Sequence, residues 1–339
     1  MIGLAKLNVL IPSAGARVSF ILYFKEHPEV KNVITTEINP LAPGVYVADK
    51  CYKAPRTLSS DYIPFLLSVC EKERVNLIIP LMDLDIVVIS RNREVFLERG
   101  IKLLLHPKET VEIAADKYQS LVILKEVGVD VPNTLLLKDA DSAEEIIAYP
   151  MLLKPRYISM KNSPEYFIKK ISDRRELEFW KRELTGKEDR YILQEYLAGT
   201  ELTVDFFCYN GEVISIVPGE RLAAVAPAFS ETGGAIIRGK TFHSEEINEL
   251  VFKVAEKLKF HGPANFQGYK LKDGSIKITE INPRLTGASV MTKAAGADFF
   301  KWSIDMILGK ELKPRIGDFK EIYMTCWSKP IFFEKPYFL

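Results

Sequence analysis

The sequence predicts an α/β protein: an N-terminal parallel sheet with helices on both faces, followed by an α+β unit rich in longer strands. Three observations carry this. Short apolar runs alternate with helical patterns through the first hundred residues, a long β-rich region runs from Glu201 to Val217 with a hairpin at Ala264–Ile281 after it, and 339 residues are too many for one small domain.

In chain order, Leu7–Ile11 reads as a buried strand. Ser13-Ala14-Gly15-Ala16 is a small-residue turn and Arg17–Glu26 a helix. The turn holds one glycine and no G-x-G-x-x-G, so it reads as a tight strand-to-helix connection rather than a dinucleotide site. Asn32–Thr36 is the second strand. Ser59–Glu73 is a helix with Ser60 or Asp61 placed to cap it, and Val75–Ile79 a strand ended by Pro80. Asp85–Arg99 is a helix closed by Gly100, and Ile101–Leu105 a further strand. Strands separated by helices imply parallel pairing. Beyond a boundary at Thr110–Asp116, Asp116–Val127 is a helix, Thr134–Leu137 a strand, and Tyr149–Pro155 an apolar strand that carries Lys154. Glu165–Lys170 and Tyr191–Tyr196 are strands around the helix Asp173–Leu184. Glu201–Val217 is strand-rich, Ser244–Lys257 an amphipathic helix, and Ala297–Leu308 the last strong helix. Ile322–Phe333 either finishes a sheet or covers a partner. The expected division is 1–114, 115–312 with a subdomain at about 134–197, and a C-terminal strand and tail at 313–339.

The bulk numbers exclude several classes. Lys+Arg number 46 against Asp+Glu 45, a net charge of +1, so no basic field calls for nucleic acid. Cys51, Cys70, Cys208 and Cys326 form no C-x-x-C pair, which argues against a zinc site or a disulfide scaffold and fits a reducing cytoplasm. The N-terminus lacks a basic segment leading into a long apolar one, and no run has the length of a membrane helix. His243 and His261 are isolated and read as structural.

The most informative stretch is Ala264–Arg284. Asp273-Gly274 between two strand-like runs predicts a hairpin with a two-residue turn. Pairing Lys272 with Ser275 then puts Gln267 opposite Glu280 and Asn265 opposite Asn282. Opposed Cβ atoms stand roughly 4.5–5.5 Å apart, so four oxygen-bearing side chains share one face. One carboxylate among them suits Mg²⁺ shared with substrate phosphates. On this register Phe266 and Ile281 pack on the other face, while Leu271, Ile276 and Ile278 intrude on the polar one. Pro283-Arg284 adds a fixed turn and a guanidinium suited to phosphate or carboxylate.

With these residues the chain resembles the ATP-grasp superfamily, in particular the large subunits of carbamoyl-phosphate synthetases, over nearly its whole length. Glu280-Ile281-Asn282-Pro283-Arg284 resembles that family's E-x-N-x-R motif, with Gln267 at the upstream metal-ligand position. Asp116-Lys117 resembles the start of the grasp unit, Gly128-Val129-x-Val131-Pro132 its continuation, Tyr149-Pro150-x-x-x-Lys154-Pro155 the lid strand, and Gln194-Glu195-Tyr196-Leu197-x-Gly199-x-Glu201 the hinge. The resemblance implies a Rossmann-like pre-ATP-grasp domain, then an ATP-grasp fold with a mobile lid. It implies ATP and Mg²⁺, with Mn²⁺ as a substitute, as cofactors. Gln267, Glu280 and Asn282 would hold metal; Lys117, Lys154, Glu195, Tyr196, Leu197 and Glu201 would bind ATP; Lys154 and Arg284 would be catalytic. The implied reaction joins a small-molecule carboxylate, activated as an acyl phosphate, to an amine or other nucleophile. Neither nucleic acid nor membrane is implied, and a homodimer is left open. With one grasp unit and no glutaminase, complete carbamoyl-phosphate synthesis is not expected.

The pattern departs from the family in the lid, where Pro155–Pro164 contains no glycine. Backbone approach to a phosphate is harder with Cβ atoms in the way, so Arg156, Ser159 and Lys161 would have to compensate. The alternative reading is an ATP-binding module without turnover. Arg221 and Arg238, with Gly233 and Gly234, stand where relatives hold the acceptor.

Overall fold

The computed structural model describes residues 6–160, 165–225, 235–336 and 338. Among these the strands form three sheets. The first is parallel: β1 (Leu7–Pro12), β2 (Val30–Glu37), β3 (Lys50–Lys53), β4 (Leu77–Ile78) and β5 (Lys102–Leu103), in the order β3-β2-β1-β4-β5. Alternate residues of β1 enter different cores. Val9 and Ile11 join Phe20 and Phe24, whereas Leu10 joins Tyr62 and Leu66, so both faces are covered. The winding reverses between β1 and β4. Such a switch point opens a crevice at the carboxyl ends of the strands, here lined by the turn after β1 and by Asp83 and Asp85 after β4.

The second sheet comprises β6 (Thr134–Leu136), β7 (Met151–Pro155), β8 (Lys169–Ile171) and β9 (Tyr191–Glu195), ordered β6-β9-β7-β8. The third contains β10 (Gly199–Tyr209), β11 (Glu212–Val225), β12 (Ala235–Thr241), β13 (Gly262–Leu271), β14 (Ile276–Asn282) and β15 (Tyr323–Thr325), ordered β14-β13-β10-β11-β12-β15. The period of two along β10 organises everything above it. Leu202, Val204, Phe206 and Cys208 pack under the helices Lys117–Glu126 and Glu245–Leu258. Glu201, Thr203 and Asp205 point the other way, and farther along that face Phe207 joins Phe299, Phe300 and the first sheet's Ile11 in one core. The first and third sheets are thereby fixed to each other around a polar region.

Several boundaries differ from expectation. The helix expected over Asp85–Arg99 is two, Asp83–Arg91 and Arg93–Leu97, because Asn92 leaves helical geometry (φ −110°, ψ 22°) while its side-chain amide donates to Val88 O. Asp61 stands at the start of Tyr62–Glu73 but makes no side-chain cap. The last helix begins at Phe299, where the Asp298 carboxylate accepts from Lys301 N–H at 3.0 Å. β3 was not foreseen; Cys51 and Tyr52 are its buried pair between lysines. Of the run Ile322–Phe333, Tyr323–Thr325 finish a sheet, since β15 pairs with β12. Among the described residues no helix is long and apolar enough to cross a membrane.

Candidate active site

The hairpin β13–β14 brings Gln267 opposite Glu280 and Asn265 opposite Asn282, as its register predicts, but by a different route. Leu271 N–H donates to Ser275 O and Gly274 N–H to Leu271 O, so the loop is the three residues Lys272–Gly274, with Gly274 at φ +91°. That moves the register by one from the two-residue turn. A β-bulge at Thr279 moves it back, and Thr279 Oγ1 donates to Gln267 O at 3.2 Å. The bulge also changes which face the apolar residues occupy. Ile276 and Ile278 lie in the same core as Phe266 and Ile281, so they do not intrude on the polar face. Gly268 permits the close approach: a Cβ there would stand 2.4 Å from Lys277 O.

β10 completes the polar face, with Thr203 opposite Gln267 and Asp205 opposite Asn265. Asp205 is fully buried and accepts from Asn265 Nδ2 (2.7 Å), Thr286 Oγ1 (3.1 Å) and Thr292 Oγ1 (2.8 Å). Burial pushes its carboxyl above the usual range, against the pull of these donors. Among the described residues, the buried atoms Asn265 Oδ1 and Asn282 Nδ2 on this face find no partner.

Two lysines face it. Lys154 on β7 and Lys117 at the start of Lys117–Glu126 are both buried. The Lys154 ammonium is lowered to about 8, first by burial and then by Lys117, while Glu280 opposes the shift. All three charges therefore share one field. Asp116 holds the junction: it caps the helix through Tyr118 and Gln119 N–H and pairs with Arg156 at 2.6–2.9 Å, while Lys117 N–H donates to Arg156 O. Arg156 is thus committed to Asp116 and does not compensate for the missing lid glycines. The Ser159 side chain and Lys161 lie outside the described residues.

At the hinge, Glu195 ends β9 with its N–H given to Asn133 O and its carboxylate paired with Lys277 at 2.8–2.9 Å. Tyr196 and Leu197 follow outside the ladder, Leu197 buried and Tyr196 under Lys170 Nζ at 4.6 Å. Glu201 forms an ion pair with buried Arg221, and its carboxyl is raised first by burial and also by Glu280.

The comparisons with known proteins agree with this layout. Residues 9–104 match the family described as PylC-like, N-terminal domain, and residues 187–329 match ATP-grasp in the biosynthetic pathway with Ter operon. The carbamoyl phosphate synthase large chain of Thermoanaerobacter sp. (strain X514) is 25% identical over 306 residues, covering 84% of this chain and 26% of that protein. The arginine-specific large chain of Bacillus subtilis is 22% identical, with 79% and 25% covered. The chain thus spans about a quarter of the length of these relatives. Among solved structures, the biotin carboxylase domain dimer of Hydrogenobacter thermophilus 2-oxoglutarate carboxylase, in complex with MgADP, ADP and bicarbonate, aligns with a TM-score of 0.73 at 19% identity over 94% of this chain and 73% of that one. N5-carboxyaminoimidazole synthetase from Staphylococcus aureus with ADP aligns at 0.71 and 15% identity, over 91% and 79%. The chain thus has the fold of these proteins, and its residues 187–329 match an ATP-grasp family.

Arg284 is held from outside the hairpin. Its Nε and Nη2 pair with both carboxylate oxygens of Asp83, and Nη2 also donates to Asn282 Oδ1 at 3.0 Å. Arg238 is exposed on β12, and Gly233 and Gly234 lie outside the described residues. A cavity of ≈380 Å³ opens beside Gln267, Thr203 and Arg221 and is also lined by Arg17 and Phe20, at the start of the helix that follows β1. The sequence reading missed Arg17, Asp83, Thr203 and Asp205. For the first two a signal existed: both sit at the carboxyl ends of strands flanking a switch point, where an open parallel sheet binds its ligands.

Proposed function

We propose that the chain is a cytoplasmic Mg²⁺-dependent ATP-using ligase that joins a small-molecule carboxylate to an amine or other nucleophile. The observation that carries the reading is the confrontation of Glu280 and Gln267 on the hairpin with two buried lysines, Lys154 and Lys117, across one polar face. Buried ammonium groups in a shared field with one carboxylate suit a nucleotide's phosphates. A metal-bound phosphate also fits this face because, among the described residues, Asn265 Oδ1 and Asn282 Nδ2 are buried without partners there. Glu280, Gln267 and Asn282 would hold Mg²⁺, whose charge offsets that of the β- and γ-phosphates. Asn282 Oδ1 already accepts from Arg284, so its second lone pair would serve. Tyr196 and Leu197 would meet the adenine through their backbone and Glu201 the ribose. Glu195, tied to Lys277, would set the hinge's position.

The acid's carboxylate oxygen attacks the γ-phosphorus, the bond to the β,γ-bridging oxygen breaks, and ADP leaves. The amine nitrogen then adds to the acyl carbon, phosphate departs and a proton is lost to solvent. Lys154 and Arg284 would stabilise charge in the first step. The test is ADP release from Mg²⁺-ATP with a panel of acids and amines; a panel that never raises ADP above background counts against ligation. One observation favours a second reading, an ATP-binding module without turnover: the lid lacks glycine and Arg156 is spent on Asp116. Nucleotide binding without ADP release under any acid would select it.

A further inference from the structure

The cavity beside the hairpin contains a charge that the ATP reading does not use. Arg17 follows the turn after β1, its N–H bonded to Ala14 O at 3.0 Å, and opens the helix Val18–Lys25. Arg17, with its guanidinium, is one of the residues lining the ≈380 Å³ cavity. Among the described residues no hydrogen bond or ion pair reaches that guanidinium. The nearby carboxylates are engaged elsewhere: Asp83 with Arg284, and Asp85 with Tyr62 Oη (2.7 Å) and Thr57 Oγ1 (3.2 Å). Burial, then Arg284, lowers Arg17 to about 10, while Asp83 and Asp85 pull the other way. A partly buried arginine that lines a cavity, its guanidinium unpaired within the described protein, favours a bidentate anion, and a carboxylate matches its fork.

The rest of the cavity sets the kind of carboxylate. Phe20, Ile236 and Val290 make an apolar wall, and Gln267 joins the chamber to the polar face of the hairpin. The volume is in the range of organic-ligand sites, roughly 300–1,000 Å³. At about 30 Å³ per water-sized group, it is several times what bicarbonate fills.

We infer that the acid taken by this chain is an organic carboxylate with an apolar body, anchored through its carboxylate by Arg17, and not bicarbonate. The inference rests on the ligase reading, since the anchored acid shares a chamber with Gln267. Arg17 brings the N-terminal sheet into the site as a binding residue.

The test uses the full chain and calorimetry with L-leucine, L-phenylalanine and 4-methylpentanoate, each beside its uncharged amide, and with bicarbonate. The expected result is that at least one acid binds and its amide does not. In Arg17→Gln that affinity falls about tenfold or more, the loss of a charge-assisted pair, and Arg17→Lys falls less. Mg²⁺-ATP affinity stays within about twofold in both variants, which also reports that they fold. The inference is overturned if none of the three acids binds the wild type, if the amide binds as well as the acid, or if Arg17→Gln binds the acid unchanged. Loss of Mg²⁺-ATP binding in the wild type would instead remove the ligase reading.

Discussion

Asp83→Asn is the sharpest perturbation of the interface between the first and third sheets. Asp83 and Arg284 lie 201 residues apart, with side chains 4% and 12% exposed, and pair through both carboxylate oxygens. The substitution keeps the volume but leaves a buried guanidinium without its counter-charge, close to a second cation, Arg17. Removing one partner of a buried pair costs about 3–5 kcal/mol. The remaining Asn oxygen still accepts one hydrogen bond, so the lower end applies, about 3 kcal/mol. At roughly 2–4 °C per kcal/mol for chains of 150–250 residues, and less for a longer one, the melting temperature should fall by about 6 °C. Urea unfolding of Asp83→Asn, Arg284→Met and the double variant forms a cycle. The coupling should exceed about 1.5 kcal/mol, the low end for close charge pairs. A single variant within 0.5 kcal/mol of wild type, or an additive cycle, would refute the pairing as a structural bond. Arg284 would then be free for chemistry alone.

Other outcomes follow from the same geometry. Glu280→Ala should abolish Mg²⁺-ATP turnover, measured as ADP release; retained turnover would remove Glu280 from the mechanism. Lys154, at about 8 in the free protein, is half-charged near that pH, so nucleotide binding there should take up about half a proton, read by calorimetry in buffers of differing ionisation enthalpy. Because its folded value lies below its unfolded one, this group adds stability to the nucleotide-free protein as pH rises from about 8 towards 10.5; nucleotide affinity that is flat across that range would contradict the placement. Gly268→Ala should cost about 1–3 kcal/mol by overpacking against Lys277 O, and an unchanged melting temperature would argue against the bulge.

How much could be read from the sequence depended on whether the physics was local. Alternation along β13 and β14 placed Gln267, Glu280, Asn265 and Asn282 together, because opposed pairs follow from register. That success hid two compensating departures, a three-residue loop and a bulge. Gly268, an isolated glycine in a strand, was the available signal for the second. Lys154 could be found because its strand is apolar up to the lysine. The Asp83–Arg284 pair was out of reach, since no local pattern links residues so far apart. Arg17 looked like the first residue of a plain helix because only the third sheet makes that helix start one wall of a cavity. Arg156 shows the converse: a cation in the right segment, taken by the cap residue Asp116.

The central claim is that the face carrying Gln267, Glu280 and Asn282, opposed by Lys117 and Lys154, holds Mg²⁺ and ATP phosphates. It is tested most directly by calorimetry of a non-hydrolysable ATP analogue, with and without Mg²⁺, on the wild type and Glu280→Ala. The account predicts Mg²⁺-dependent binding by the wild type and loss of that dependence in the variant. Binding that ignores Mg²⁺ in the wild type, or equal Mg²⁺-dependent affinity in both proteins, would contradict it.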